Sequence, residues 1–220
     1  MAFTGFGEYA VDFFDGLAVD NSKAYWQDNL AVYTSDVRGP MEELLAELLD
    51  EFGDFGQGKV FRPYRDVRFA RDKSPYKTHC GAVVERGRGG GAFYVEVGPA
   101  GLRVGGGCFR LAQDQLARFR RAVESDVHGA ALAAILDALR AEGWEVAGDR
   151  LVTRPRGVPA DHPRLDLLRY RSLTALWTWP PDDALHERAC LDRVRTAWRG
   201  LRPLNAWAAD HVGPSDLARR

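Results

Sequence analysis

Residues 79–109 read HCGAVVERGRGGGAFYVEVGPAGLRVGGGCF, and this stretch decides the fold class. It holds three short β-rich runs, 79–86, 93–97 and 102–109, divided by GRGGG (Gly87 to Gly91) and by Gly98-Pro99-Ala100-Gly101. Valine and aromatic residues suit a pleated surface, and glycine clusters punctuate it. Proline second and glycine fourth in the latter tetrapeptide suit a type I turn, and a connection this short joins antiparallel neighbours. In the second run Phe93, Val95 and Val97 point one way, Tyr94 and Glu96 the other. That alternation predicts one face on a core and one partly wet.

On both sides of this block the apolar period changes from two to 3.6. Tyr9, Phe13, Phe14 and Leu17 recur at helical spacing, and Asn21 or Ser22 can cap a second helix carrying Tyr25, Trp26, Leu30 and Tyr33. Pro40 suits the first turn of a third helix, in which Met41, Leu44, Leu45, Leu48, Leu49 and Phe52 form one stripe, with Gly53 as its left-handed stop. Helices return at 116–123 and 131–141. Extended pieces follow near Val146 and Leu151-Val152, then a turn-rich stretch, 155–163, and a strand at Leu173–Trp179. A final helix runs from Leu185 to Leu201, with Leu204 and Trp207 after it. The order predicts an α+β protein, an antiparallel β-meander packed by N-terminal and C-terminal helices, rather than a βαβ alternation. With neither repeat nor long linker, it reads as a single domain over residues 1–213 and a frayed tail at 214–220.

Composition narrows the function classes. Of 220 residues 45% are apolar and 28% charged, enough to bury a core and too apolar for a disordered chain. Thirty basic and 31 acidic side chains leave a net charge of −1, so any attraction to nucleic acid or an anionic membrane must be local. Cys80, Cys108 and Cys190 are odd in number and far apart, with no CxxC pair, which argues for reduced thiols over a disulfide framework or zinc knuckle. The opening MAFTGFGEYAVDFF lacks a basic n-region and carries Glu8 and Asp12. The most apolar stretch, 130–139, is broken by Asp137 and is far short of the ~20 residues that span a bilayer. The expectation is a cytoplasmic protein without membrane attachment. No metal site and no cofactor are predicted.

The chemistry concentrates in residues 59–79, KVFRPYRDVRFARDKSPYKTH. Lys59, Arg62, Arg65, Arg68, Arg71, Lys73 and Lys77 face only Asp66 and Asp72, a local excess of five positive charges, with Phe61, Tyr64, Phe69 and Tyr76 interleaved. If 60–70 is extended, Arg62, Tyr64, Asp66 and Arg68 share one face, although Pro63 cannot donate to a ladder. Two arginines flanking an aspartate can close on it as an ion-pair lattice or present guanidinium groups to a bound anion. A second candidate is the loop from Arg154 through Arg156, Asp161 and His162 to Arg164, where His162 can move protons and Asp161 can cap a helix beginning at Pro163. The runs Gly87 to Gly91 and Gly105 to Gly107 lead into no GK[ST], so turn and close backbone packing explain them better than phosphate binding. His79 and Cys80 are adjacent, hence on opposite sides of a strand, and no GxSxG or HExxH motif is present.

FTGF (Phe3 to Phe6), VFRPYRDVRFARDKSPYKTH (Val60 to His79), the Gly105-Gly106-Gly107 strand, RPRGVPADHPRLDLLRYRSL (Arg154 to Leu173) and Arg202-Pro203-Leu204 together resemble a widespread bacterial family of conserved hypothetical proteins, domain of unknown function 2461. The resemblance spans nearly the whole chain. It implies one domain of this length, and it marks Arg62, Arg65, Asp66, Arg68, Asp72, Lys73, Tyr76, Lys77, His79, Arg156, Asp161 and His162 as motif positions. The chain departs from the family pattern at Asp20-Asn21, where Asn-Asn is typical, at Tyr25-Trp26, where Trp-Phe is typical, and at Leu30, which replaces a basic residue.

These readings combine into one functional expectation and two alternatives. The expectation is a basic pocket for a small phosphorylated or carboxylated molecule, contacted by Arg62, Arg65, Arg68, Lys73, Tyr76, Lys77, His79 and Arg156. Asp66 and His162 would handle protons if the pocket is catalytic. The alternatives are a non-catalytic structural or interaction network built from the same residues, and binding of single-stranded nucleic acid. Oligomeric state is not readable from the sequence.

Overall fold

The computed structural model describes residues 2–85 and 91–217. The turn expected at Gly87 to Gly91 lies outside the described residues apart from Gly91, as do Arg86 and the last three residues of the expected tail. Helices α1 (Ala10–Val19) and α2 (Lys23–Asp28) open the chain. A short α3 (Leu30–Val32) then runs through a π-helical turn, Tyr33–Arg38, into α4 (Gly39–Phe52). Strand β1 (Gln57–Val60) precedes β2 (Cys80–Glu85), β3 (Ala92–Gly98) and β4 (Gly101–Cys108). Then come α5 (Gln113–Glu124), α6 (Asp126–Ala141), β5 (Glu145–Ala147), α7 (Leu165–Leu168), β6 (Leu173–Trp179) and α8 (Ala189–His211). The fold is α+β, and the described residues form a six-stranded antiparallel sheet in the order β1-β2-β3-β4-β6-β5. Strands β2, β3 and β4 form the expected meander, with β1 beside β2, and β5 closes the far edge by pairing Val146 with Ala175 of β6. Among the described residues no helix is long and apolar enough to cross a membrane.

The alternation in β3 does what its residues dictate. Phe93, Val95 and Val97 are fully buried, and the ring of Phe93 stacks on Trp198 of α8 at 5.1 Å. Tyr94 and Glu96, on the other face, stay half-buried. Two glycines allow β4 to lie close to its neighbours. Gly101 has φ +92 and sits where a Cβ would come within 2.3 Å of the Trp179 carbonyl oxygen; Gly107 has φ +116, and its Cβ would meet the Leu173 carbonyl at the same distance. Only glycine combines that backbone conformation with that approach.

The chain divides into two compact units, residues 1–84, 94–104 and 178–196, and residues 85–93, 105–177 and 197–220. In the first, α4 packs on β1, where Gly58 leaves room for Leu45 and Leu49. Its amino terminus is fastened by Glu47, which accepts from the Phe3 amide at 2.8 Å and from the Arg188 guanidinium at 2.6 Å. Phe13, Trp26 and Tyr33 form an aromatic core with ring centroids 4.7–5.7 Å apart. In the second, α5 packs on α6 and α7. There Trp207 meets Phe119 edge-on at 5.8 Å and donates to the His128 carbonyl at 2.9 Å. Of the stretch expected to fray, residues 214–217 are described: Arg118 donates to the carbonyl of Pro214, and Ser215 donates to Asp114 at 2.8 Å.

Several local expectations need correction. Gly53 ends α4 with φ −64, and the positive φ falls at Gly56 after one 3-10 turn. The second helix stops at Asn29, with Ser22 rather than Asn21 accepting from the Tyr25 amide at 3.1 Å. The last helix does not end near Leu201 but continues through Pro203 to His211, because Leu204, Trp207 and Ala208 keep burying its apolar stripe beyond the proline. No side chain caps α7. Instead of Asp161 acting there, His162 Nδ1 accepts the Arg164 amide at 3.0 Å.

Candidate functional site

The extended run anticipated over residues 60–70 stops at Val60. Phe61 still donates its amide to Gly81 at 2.8 Å, but Pro63 has no N–H to offer β2, and the chain turns away. It pairs instead with residues 75–77. Lys77 donates its amide to the Pro63 carbonyl and Arg65 to the Pro75 carbonyl, both at 2.8 Å, with Tyr64 and Tyr76 bridged between them. This two-stranded ribbon is pinned to the helices by Asn21, whose side chain accepts the Tyr76 amide at 2.9 Å and donates to its carbonyl at 3.1 Å. The Tyr76 ring, 5% exposed, lies flat on Trp26 at 4.4 Å.

At the base of the ribbon a cleft of about 490 Å³ opens between the π-helical turn, the end of β1 and Lys77, all within the first unit. Tyr33, Arg38, Lys59, Phe61, Arg62 and Lys77 line it. Four of these six are cations. Arg38 is partly committed, with Nε on Glu42 at 2.6 Å and Nη1 on the Phe61 carbonyl at 3.0 Å. The Lys77 ammonium donates to the Arg62 carbonyl at 2.7 Å and lies 5.4 Å from the Phe61 ring centre, a cation–π contact. Burial, and then the charges of Arg62 and Lys59, push its pKa below the ordinary lysine value. Among the described residues the side chains of Lys59 and Arg62 make neither hydrogen bond nor ion pair, although the charge of Arg62 reaches Asp66. Tyr33 donates to the Cys80 sulfur at 3.9 Å beside the cleft. Burial raises both groups, the thiol to about 11, so both stay protonated and neutral near pH 7.

Further along the ribbon two of the arginines meet carboxylates. Arg68 grips Asp66 with Nε at 2.9 Å and Nη2 at 2.7 Å. The bonds from the Arg68 side chain and amide lower Asp66 to about 2, which makes it a weak proton acceptor near neutral pH. Asp72 accepts from the Ser74 hydroxyl and amide and from Arg65, and is lowered further by them. Lys73 donates to the Val67 carbonyl at 3.0 Å. Of the five positive charges in excess along this segment, three, Lys59, Arg62 and Lys77, gather at the base, and two, Arg71 and Lys73, lie at the tip beyond its two ion pairs.

Of the residues singled out from sequence, the cleft brings together Arg62 and Lys77. Arg65, Asp66, Arg68 and Lys73 belong to the tip, and Tyr76 to the aromatic stack. His79 lies with its Nε2 3.7 Å from Glu96 on the half-buried face of β3, where Glu96 also accepts the Tyr94 hydroxyl and has Arg103 at 4.0 Å. Arg156, Asp161 and His162 belong to the second unit. The exposed side chains of Arg156 and Asp161 have no bonded partner among the described residues. Because His162 Nδ1 accepts a backbone amide, its neutral ring carries the proton on Nε2. Sequence reasoning missed Arg38 and Tyr33, which reach the cleft because the π-helical turn carries them there, and passed over Lys59 in favour of the arginines. The usable signal was that Lys59 and Arg62 have no acidic residue within three positions, whereas Arg65 and Arg68 flank Asp66. Among the described residues no three His, Cys, Asp or Glu side chains are grouped to hold a metal ion.

A family model described as "Conserved hypothetical protein (DUF2461)" matches residues 9–207, a span that contains every residue lining the cleft. No curated protein matches the chain.

Proposed function

The chain belongs to the DUF2461 family of conserved hypothetical proteins, and since that description names no reaction, we propose a function from the cleft itself: it binds a small phosphorylated or carboxylated molecule. One observation carries the reading. Lys59 and Arg62 line a concave site together with the partly desolvated ammonium of Lys77, and among the described residues neither has an anionic partner. Like charges brought together repel, and cations without partners are normally dispersed over the surface. A bound anion removes that repulsion. At about 490 Å³ the cleft is within the size range of small-molecule sites, and Phe61 and Tyr33 give it an apolar wall of the kind such sites carry beside a few polar groups.

A structural role also has support, for a different part of the segment. The Arg68–Asp66 and Arg65–Asp72 pairs are internally satisfied and hold the ribbon's shape. The two roles therefore divide the segment: Arg65, Asp66, Arg68, Asp72 and Lys73 shape the ribbon, and Lys59, Arg62 and Lys77 serve the ligand.

The test is thermal unfolding with inorganic phosphate or citrate at millimolar concentration, on the wild type and on Arg62→Ala and Lys59→Ala. Both residues are exposed, so the substitutions spare the core. Phosphate or citrate is expected to raise the melting temperature of the wild type and to raise it much less in either variant. Equal rises in all three proteins would sink the reading.

A further inference from the structure

Resting on the anion-binding reading, we propose that the cleft selects a dianionic phosphate group, as in a small phosphomonoester or free phosphate, over any singly charged anion. Charge gives the first reason. Arg38 is balanced by Glu42, whereas Lys59, Arg62 and Lys77 bring three positive charges with no carboxylate partner among the described residues. A carboxylate would leave two of these unopposed, a phosphate dianion one. The internal phosphodiesters of a nucleic acid carry a single charge each and are no better matched than a carboxylate.

Donor geometry gives the second. A carboxylate has two coplanar oxygens, which a single arginine fork satisfies. Here the donors come from three places in the chain: Lys59 within β1, Arg62 just beyond it, and Lys77 on the returning side of the ribbon. Among the described residues Arg62 has its five N–H groups uncommitted and Lys59 its three, while Lys77 gives one to the Arg62 carbonyl. Donors approaching from several directions fit the three terminal oxygens of a tetrahedral phosphate. Phe61, whose ring the Lys77 ammonium faces, and Tyr33 offer apolar surface to the organic part of an ester.

The dianion makes binding depend on pH in a way a carboxylate would not. The second ionisation of a phosphomonoester lies near pH 6. Affinity should therefore fall as the solution is acidified through that value, whereas acetate, already ionised there, should show no such step. The charged and titratable groups around Lys77 are Lys59 and Arg62 from β1 and the chain beyond it, Arg38 with its partner Glu42 and Tyr33 from the helical segment, and Cys80 from β2. Glu42 is paired with Arg38, and burial raises the Tyr33 hydroxyl and the Cys80 thiol, so those two stay neutral between pH 5.5 and 8.

The experiment is calorimetric titration of the full chain with phenyl phosphate, inorganic phosphate, acetate, dimethyl phosphate and an eight-residue oligothymidylate, on wild type and Arg62→Ala. Phenyl phosphate and inorganic phosphate are expected to bind at least tenfold more tightly than acetate or dimethyl phosphate, and to lose about tenfold on Arg62→Ala. Their affinity should drop several-fold between pH 7.5 and 5.5. If acetate or dimethyl phosphate binds as well as phosphate, or phosphate affinity is flat across that pH range, the dianion assignment is overturned while an anion cleft survives. If no anion distinguishes wild type from Arg62→Ala, the cleft reading itself fails. Tighter binding of the oligonucleotide than of phenyl phosphate, lost in Arg62→Ala, would replace the small-molecule ligand with a nucleic acid.

Discussion

Asn21 shows how one side chain can stand in for a missing strand. It meets both the amide and the carbonyl of Tyr76, as a neighbouring strand would, and so fixes the residue that precedes Lys77. Asn21→Ala would leave two part-buried backbone groups without partners, a loss of about 1–3 kcal/mol. The expected outcome is a lower urea midpoint with unchanged slope, together with a smaller phosphate-induced thermal shift, because Lys77 loses its support. Asn21→Asp keeps the acceptor but sets a carboxylate oxygen against the Tyr76 carbonyl, and should be at least as damaging. This role was hidden in the sequence, where Asn21 and Ser22 read as rival helix caps. Local hydrogen-bonding preference names the competitors, but a partner 55 residues away decides between them. Asp161 and His162 repeat the lesson within one turn, the imidazole taking the amide that the carboxylate was expected to cap.

Elements with strong internal pattern were legible, and those shaped by an absence of pattern were not. The meander followed from alternation and from the Gly98–Gly101 turn, and α4 from its apolar stripe. The ribbon over residues 63–77 has no periodicity; Pro63, two salt-bridged aspartates and Asn21 hold it, and of these the sequence shows the proline, offers an ion-pair lattice as one of two alternatives, and hides the asparagine's role. Its dependence on acid follows with a definite sign. Asp66 has a folded value of about 2, below the ordinary carboxylate value near 3.9, so its bonds to Arg68 favour the folded ribbon above that ordinary value. The contribution fades as the pH falls from about 4 to 2. Both partners are exposed, so added salt should weaken the effect. In an NMR titration the Arg68 Nε resonance is expected to move across that interval, and Asp66→Asn to abolish the movement; a resonance insensitive to acid in the wild type would rule the pair out as the ribbon's clasp. The glycines of β4 make a sharper prediction. Gly107→Ala would force a side chain into a positive φ and onto the Leu173 carbonyl, costing roughly 2–6 kcal/mol from backbone strain and overpacking. Gly157→Ala, with φ +85 but open space around it, has only the strain to bear and should cost about 1–2 kcal/mol. Chemical denaturation of the two variants side by side separates close packing from backbone conformation.

For the chain as a whole, a net charge of −1 conceals the arrangement that matters. Counting residues showed the basic excess of the segment at 59–79 but not where it would be spent. The answer depended on which aspartate each arginine could reach, and that is set by the fold of the ribbon. Arg38, distant in sequence and carried to the cleft by a π-helical turn, lay beyond any count. The balance also shapes how ligand binding should register in overall stability. A ligand that binds only the folded chain at a hundredfold excess over its dissociation constant adds about 2.7 kcal/mol. For a chain of this length each kcal/mol moves the melting temperature by roughly 2–4 °C, so saturating phosphate should raise it by about 5–10 °C. Phosphate also stabilises proteins non-specifically, by exclusion from their surfaces, and sulfate shares that property while being a dianion that could enter the cleft. A comparison of salts therefore cannot isolate the site, but a comparison of proteins can. Arg62→Ala and Lys59→Ala leave the rest of the surface as it is, so the exclusion effect should remain in both, and the difference from wild type is the contribution of the cleft. That difference should saturate with phosphate concentration, whereas the exclusion effect keeps rising in proportion to it. A wild-type response that is linear throughout and parallel to both variants would mean that the three cations hold no anion.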